Sequence, residues 1–296
     1  MTISEKWVRA ELSLLRPLLT NASLETSRTA QNRVGALMAS TQRPRVRFEP
    51  CEFDRFSAEW AIPRRRKREG AILYLHGGGY VAGDLEYAKG FGAVLAAKHH
   101  IRVFCPAYRL APEHPYPAAL EDALTAYRYL LGEERGGIVL CGESAGGGLM
   151  FSLVARLREE GLELPRGLIP ISPWCDLTLS GSSYEPNRLS DPALSIEQLE
   201  HFREMYGGDP RDPLVSPLFA DLHGMPDTLM FAGGGEILLD DALRLHARLL
   251  DSGCNSRLTV ESGMWHAYIL YGVRAAKSAH SQISKFLDAH IGGCDE

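Results

Sequence analysis

Two glycine-rich runs and two polar residues further along the chain are where this sequence could do chemistry. Gly142-Glu143-Ser144-Ala145-Gly146 sets a serine between glycines two positions away on either side. The apolar run Ile138-Val139-Leu140-Cys141 precedes it and a helical stretch, 148–157, follows. A serine on such a strand-to-helix turn is forced into a strained backbone conformation that lifts its hydroxyl above the sheet, and only small neighbours leave room for it. His76-Gly77-Gly78-Gly79-Tyr80 follows another apolar run, 71–75. Glycines there let backbone N–H groups converge on one point. A carbonyl oxygen turning negative in a tetrahedral intermediate needs such donors, each worth roughly 3–4 kcal/mol of barrier. Gly78, Gly79 and the N–H of Ala145 are the expected donors, with His76 bracing the loop.

A nucleophilic serine needs a base and an acid, and one known chain order on parallel sheets is Ser, acid, His. Met264-Trp265-His266-Ala267-Tyr268 follows the last strand candidate and opens a helix, which makes His266 the expected base. The acid should follow the preceding strand, 228–232, where the chain reads Gly233-Gly234-Gly235-Glu236-Ile237-Leu238-Leu239-Asp240-Asp241. Glu236 lies in the turn just past that strand, where a carboxylate can hold an imidazole in one tautomer. Asp240 and Asp241 fall at the start of a helical stretch, 242–250, where acids ordinarily serve a first turn. Glu236 is the expected acid and Asp240 the alternative.

The elements that must position these residues show in the periodicity. Apolar residues at three- and four-residue spacing predict helices over 3–19 and 23–40. Over 45–62 the period becomes two, an antiparallel opening to a sheet. Short apolar runs at 71–75, 101–105, 138–141, 167–171, 228–232 and 257–260 read as strands buried on both faces. Helical stretches such as 117–131 and 145–160 are long enough for right-handed crossovers between parallel strands. The expected fold is α/β: a mostly parallel, doubly wound sheet with antiparallel N-terminal edge strands. Residues 180–212 break the rhythm and are expected, with 1–42, to form a cap over a single domain spanning 1–296. The proline-bearing stretch 108–122 reads as architectural, with Asp122 anchoring it by hydrogen bonds. Arg64-Arg65-Arg66-Lys67-Arg68 reads as a solvated hairpin turn between two strands.

With 32 basic against 37 acidic residues, the chain has no field to hold a phosphate backbone or an anionic membrane, so neither nucleic acid nor stable membrane insertion is expected. Cys51, Cys105, Cys141, Cys175, Cys254 and Cys294 lie far apart, three of them in or beside apolar runs, and read as reduced thiols of a cytoplasmic protein. No window approaches a membrane span and no export signal is visible. No His, Cys and Asp cluster has ligand spacing, so neither a metal nor an organic cofactor is expected.

Taken together, His76-Gly77-Gly78-Gly79, Tyr108-Arg109-Leu110-Ala111-Pro112-Glu113, Pro117-Ala118-Ala119-Leu120-Glu121-Asp122, Gly142-Glu143-Ser144-Ala145-Gly146-Gly147 and Met264-Trp265-His266 resemble the bacterial hormone-sensitive lipase family of esterases, an α/β-hydrolase group. Ser172-Pro173-Trp174-Cys175-Asp176 and Asp212-Pro213-Leu214-Val215-Ser216-Pro217-Leu218 are similar to the family's intermediate blocks. The resemblance runs from about residue 71 to 268. It implies a serine carboxylesterase acting on short acyl esters, a cap built from the N-terminal helices and the inserted segment, and a homodimer paired at an edge strand. Many members carry Asp-Pro-Leu-x-Asp where this chain has Glu236-Ile237-Leu238-Leu239-Asp240, which aligns Glu236 with the catalytic acid and Asp240 with a second, structural aspartate. A lactone or N-acetyl amide hydrolase would use the same site. A non-catalytic small-molecule binder of the same fold is the remaining alternative, and retention of His266 argues against it.

Overall fold

The computed structural model describes residues 4–20 and 22–292, so Ile3 of the first predicted helix and Cys294 lie outside it. The chain opens with helices α1 (Glu5–Thr20) and α2 (Leu24–Gln42), the latter N-capped by Ser23, whose side chain accepts from the Thr26 N–H. Strands β1 (Val46–Glu52) and β2 (Ser57–Pro63) follow, then β3 (Ala71–Leu75), α3 (Leu85–His99), β4 (Arg102–Pro106), α4 (Ala118–Glu133), β5 (Ile138–Glu143), α5 (Ala145–Glu159) and β6 (Gly167–Ile171). After a short helix, α6 (Tyr184–Asn187), come α7 (Ile196–Tyr206), β7 (Thr228–Gly233), α8 (Leu239–Asp251), β8 (Ser256–Glu261) and α9 (Ala276–His290).

All eight strands form one sheet in the order β1-β2-β4-β3-β5-β6-β7-β8. The β1–β2 and β2–β4 pairs are antiparallel and every pair from β4 to β8 is parallel. Every residue of β3, β5, β6 and β7 is buried, whereas in the edge strands β1 and β8 only the first residue is, and the others are half-buried or exposed. This is the burial that helices on both faces of a parallel sheet impose. One apolar cluster lies on each face: Phe104, Leu140, Phe151 and Trp174 belong to the first, Tyr74, Phe91, Phe231 and Trp265 to the second.

The sheet corrects one expectation. Because β4 lies between β2 and β3, residues 64–68 do not form a hairpin turn; they link strands that are not neighbours. Arg68 is tied to Asp288 at 2.5 Å, and Arg66 lies 3.9 Å from Glu134.

Parallel register gathers strand ends at one rim. Leu75 pairs with Gly142, Glu143 with Ile171, and Gly233 with Glu261, so the segments after β3, β5, β6, β7 and β8 all emerge at the same edge. In open α/β sheets that rim is where ligands bind. Helix α2 packs on α3 with backbone nearly touching backbone: a Cβ on Gly35 would stand 2.3 Å from the Glu86 carbonyl oxygen, and one on Gly90 2.7 Å from the Gly35 Cα. Among the described residues no helix is long and apolar enough to cross a membrane.

Candidate active site

Ser144 sits where β5 becomes α5, at φ 55° and ψ −123°. Its N–H donates to the Ile171 carbonyl (3.0 Å) and its carbonyl accepts from Trp174 N–H (2.9 Å), so bonds to the next strand hold the strained turn. Glycine is required on both sides. A Cβ on Gly142 would fall 2.5 Å from the Gly146 carbonyl oxygen, and one on Gly146 2.0 Å from that of Leu75. Ala145 is the first residue of α5, and helix starts leave N–H groups unpaired.

The glycine loop after β3 approaches the same point. Gly78 (φ 108°) and Gly79 (φ 64°) hold left-handed conformations, and the Gly78 carbonyl accepts from Val81 and Ala82 N–H groups. Among the described residues, the N–H groups of Gly78, Gly79 and Ala145 donate to no protein acceptor. Four contacts brace the loop. His76 Nδ1 lies 2.7 Å from the Gly77 carbonyl oxygen, and its ring stacks on Tyr108 at 4.2 Å. Tyr108 hydroxyl donates to the His76 carbonyl (2.6 Å). Gly77 N–H donates to Glu143 Oε1 (2.6 Å).

Sequence reasoning passed over Glu143, although it sits beside Ser144. The carboxyl is buried and accepts from the Tyr74 (2.5 Å) and Tyr87 (3.2 Å) hydroxyls besides Gly77. Burial raises it from the usual carboxylate range to about 7, while the three donors pull it down.

The acid turn and the histidine loop are zipped by backbone bonds. Gly234 N–H donates to the Glu261 carbonyl and Gly235 N–H to that of Met264, both at 2.8 Å. This brings Glu236 Oε2 to 3.9 Å from His266 Nδ1, longer than a hydrogen bond. Among the described residues, neither Glu236 Oε1 nor His266 Nδ1, both buried, has a hydrogen-bond partner. Burial pushes the Glu236 carboxyl well above the carboxylate range and holds the His266 imidazole down at about 4, so loss of water drives both toward their neutral forms. Catalytic contacts are often this long before substrate arrives.

Ser172 joins these groups. At φ 47° just past β6, its hydroxyl donates to Glu236 Oε2 (2.5 Å) and accepts from Ala267 N–H (3.0 Å). The sequence signal for it was its place at the head of the Ser172–Asp176 block, just after a buried strand.

Asp240 lies elsewhere. Ser182 N–H donates to its carboxylate (2.6 Å), as does the Ser182 hydroxyl. Asp241 is buried and accepts from Cys175 N–H, Asp176 N–H and the Tyr184 hydroxyl, each at 2.9 Å. Both stand in the first turn of α8, as expected, although that helix starts at Leu239 and neither side chain caps it. The helix expected to open at His266 is only one 3₁₀ turn, Tyr268–Tyr271. Asp122 anchors the 108–122 loop, accepting from Arg109 N–H (2.8 Å) and from its guanidinium.

Ser144, His266, Gly78 and Gly79 line one cavity of about 150 Å³. Its other walls include Gln31 of α2, Leu199 and Phe202 of α7, and Leu270.

Comparison with known proteins agrees with this geometry. A family profile described as the alpha/beta hydrolase fold matches residues 72–270. An acetyl-hydrolase of Streptomyces hygroscopicus is 35% identical over 274 residues, covering 88% of this chain and 90% of that protein. An esterase of Acinetobacter venetianus is 34% identical over 252 residues, 83% of each. Among solved structures, an esterase from the bacterial hormone-sensitive lipase family superposes with a TM-score of 0.86 at 32% identity, over 99% of this chain and 100% of that one. The esterase EstE5, soaked with p-nitrophenyl butyrate, superposes at 0.85 and 31% identity, over 95% and 98%. With a sheet, a strained serine turn and a glycine loop of this kind, the chain belongs to the α/β-hydrolase fold and, within it, to the carboxylesterase-type hydrolases of the bacterial hormone-sensitive lipase family.

Proposed function

We propose that the chain hydrolyses short-chain carboxylic esters by two-step acyl transfer. His266 takes the Ser144 proton, Ser144 attacks the carbonyl, and the N–H groups of Gly78, Gly79 and Ala145 hold the oxyanion. The alcohol leaves with the proton His266 carries, and water, activated by the same imidazole, releases the acid. Glu236 orients the imidazole and balances its positive charge once the gap between them closes by about 1 Å to hydrogen-bond length.

One observation carries this reading: Ser144, His266, Gly78 and Gly79 share one cavity, and the Glu236 carboxyl stands 3.9 Å behind the imidazole. Its volume of about 150 Å³ equals roughly five waters at their liquid share, which suits a short acyl group. The acetyl-hydrolase among the relatives points the same way. In the same reading 1–296 is one domain, and residues 1–42 and 180–212 form its cap, supported by Gln31, Leu199 and Phe202 in the cavity wall. The free edge of β8 is where a second copy would pair, which sedimentation tests.

The experiment is a p-nitrophenyl ester series from acetate to octanoate, with Ser144→Ala as control and matched N-acetyl amides alongside. Fast turnover of the shortest esters, abolished in the control, is expected. Turnover that survives Ser144→Ala, or amides cleaved faster than esters, refutes the proposal.

A further inference from the structure

A stretch outside the triad grips the acid turn. Residues 183–191 deliver one side chain to each of three successive carbonyls: Ser190 Oγ donates to Gly235 O (2.8 Å), Asn187 Nδ2 to Glu236 O (2.8 Å) and Ser183 Oγ to Ile237 O (2.6 Å). Asp191 completes the grip. Its carboxylate is fully buried and accepts from Ile237 N–H through Oδ2 and from Ala193 N–H through Oδ1, both at 3.0 Å. The His266 backbone faces it as well. From α1, Arg9 ties this stretch to the histidine loop, donating to Ser190 O (2.8 Å) and Gly263 O (2.6 Å).

We propose that residues 183–191 are a positioning clamp for the catalytic acid and base, with the Asp191 carboxylate as the group that sets Glu236 against His266. The inference rests on the triad reading above. Asp191 is a positioning residue, since it touches only backbone and acts through Glu236 and His266.

The physical case has two parts. Glu236 and His266 stand on loops from different strands, and the gap between them must close by about 1 Å, so small errors in either loop are expensive in rate. A buried carboxylate that accepts from the Ile237 N–H of the acid turn and faces the His266 backbone holds the two loops in register more firmly than a neutral acceptor would. The titratable groups facing Asp191 are Glu236 on the acid turn, His266 and Tyr271 on the histidine side, and Arg16 on α1.

The test uses the full chain and p-nitrophenyl butyrate, comparing Asp191→Asn, Asn187→Ala and Ser144→Ala with the unmodified protein, and recording kcat, KM, thermal unfolding and the acid limb of kcat/KM. For Asp191→Asn the expected result is a kcat lower by about ten- to hundredfold with KM changed by less than about twofold. Burial raises the Asp191 carboxyl to about 6, so the kcat gap between the two proteins narrows as pH falls through that value and Asp191 becomes neutral like the amide. Asn187→Ala should show a smaller fall of the same kind. A folded Asp191→Asn protein with unchanged kcat at neutral pH overturns the proposal. If Asp191→Asn does not fold, Asn187→Ala decides, and unchanged kcat there overturns it equally. Activity retained by Ser144→Ala is a different outcome, one that removes the triad reading itself.

Discussion

Replacing Glu236 by glutamine removes a charge and little else. The amide oxygen can still accept from the Ser172 hydroxyl, which donates to Glu236 Oε2, so the turn keeps its anchor. What disappears is the attraction between carboxylate and imidazolium across 3.9 Å. At an effective dielectric near 20, unit charges at that separation attract by about 4 kcal/mol, or about three decades in kcat. The pH profile supplies a second reading. In the unmodified protein the acid limb belongs to the Glu236–His266 pair jointly. Without the carboxylate only the imidazole titrates, and burial holds it at about 4. A protonated imidazole cannot accept the serine proton, so activity falls as pH drops through that value, and losing the neighbouring negative charge moves the fall to lower pH. Asp240→Asn is the contrast. It weakens contacts with Ser182, costing about 1–2 kcal/mol of stability, with kcat within about threefold. Initial rates with p-nitrophenyl butyrate across the acid and neutral range, with thermal melts, decide the matter. Three decades lost in Asp240→Asn with Glu236→Gln nearly unaffected, or an acid limb that stays put in Glu236→Gln, refutes the reasoning.

Further expectations concern the surrounding scaffold. Gly78→Ala puts a Cβ 2.2 Å from the Ala82 carbonyl oxygen at φ +108°, so kcat and the melting temperature should both drop. Gly161→Ala, at φ +65° with open space around it, should cost only about 1 kcal/mol of strain and leave rate untouched; equal effects at the two sites sink the idea. Glu143 is raised from 4.5 to about 7, so the native state holds its proton more tightly than the unfolded chain does. Its contribution to stability is full below about pH 4.5 and lost as pH rises through about 7, a change of about 3 kcal/mol. Urea unfolding of the protein relative to Glu143→Gln should show that decline, and a pH-independent difference rules it out. Phe202→Ala opens the cavity wall over Gly79 and should raise octanoate turnover relative to butyrate; an unchanged ratio means that Phe202 does not limit chain length.

Strands β3 and β6 were legible to the residue, because a run buried on both faces has no polar interruptions to blur its ends. Ser144, His266, Gly78 and Gly79 could be singled out for a related reason: each lies within about five residues of a strand's end, and strand ends in a parallel sheet share a rim. Lateral order was harder to read. Nothing in residues 64–68 tells that β4 slips between β2 and β3, since that depends on pairings far apart in the chain. Nor could Asp191 and Glu143 be told from ordinary surface acids. Asp191 sits in a Ser-Asp-Pro turn of a polar insertion, and only tertiary packing sinks its carboxylate beside the acid turn. Ser172 is similar: its two bonds reach residues 64 and 95 positions away.

The meeting of Gly35 and Gly90 sets the terms for anyone wishing to retool this protein for bulkier esters. Gln31, which faces the cavity, is one helical turn before Gly35, so the wall it belongs to is seated main chain against main chain with no side chain left to trim. Directed evolution should find few useful variants at that seam, and libraries randomising it should return mostly misfolded clones. The productive positions are across the cavity, on α7 and at Leu270, where a smaller side chain gives space without unseating a helix.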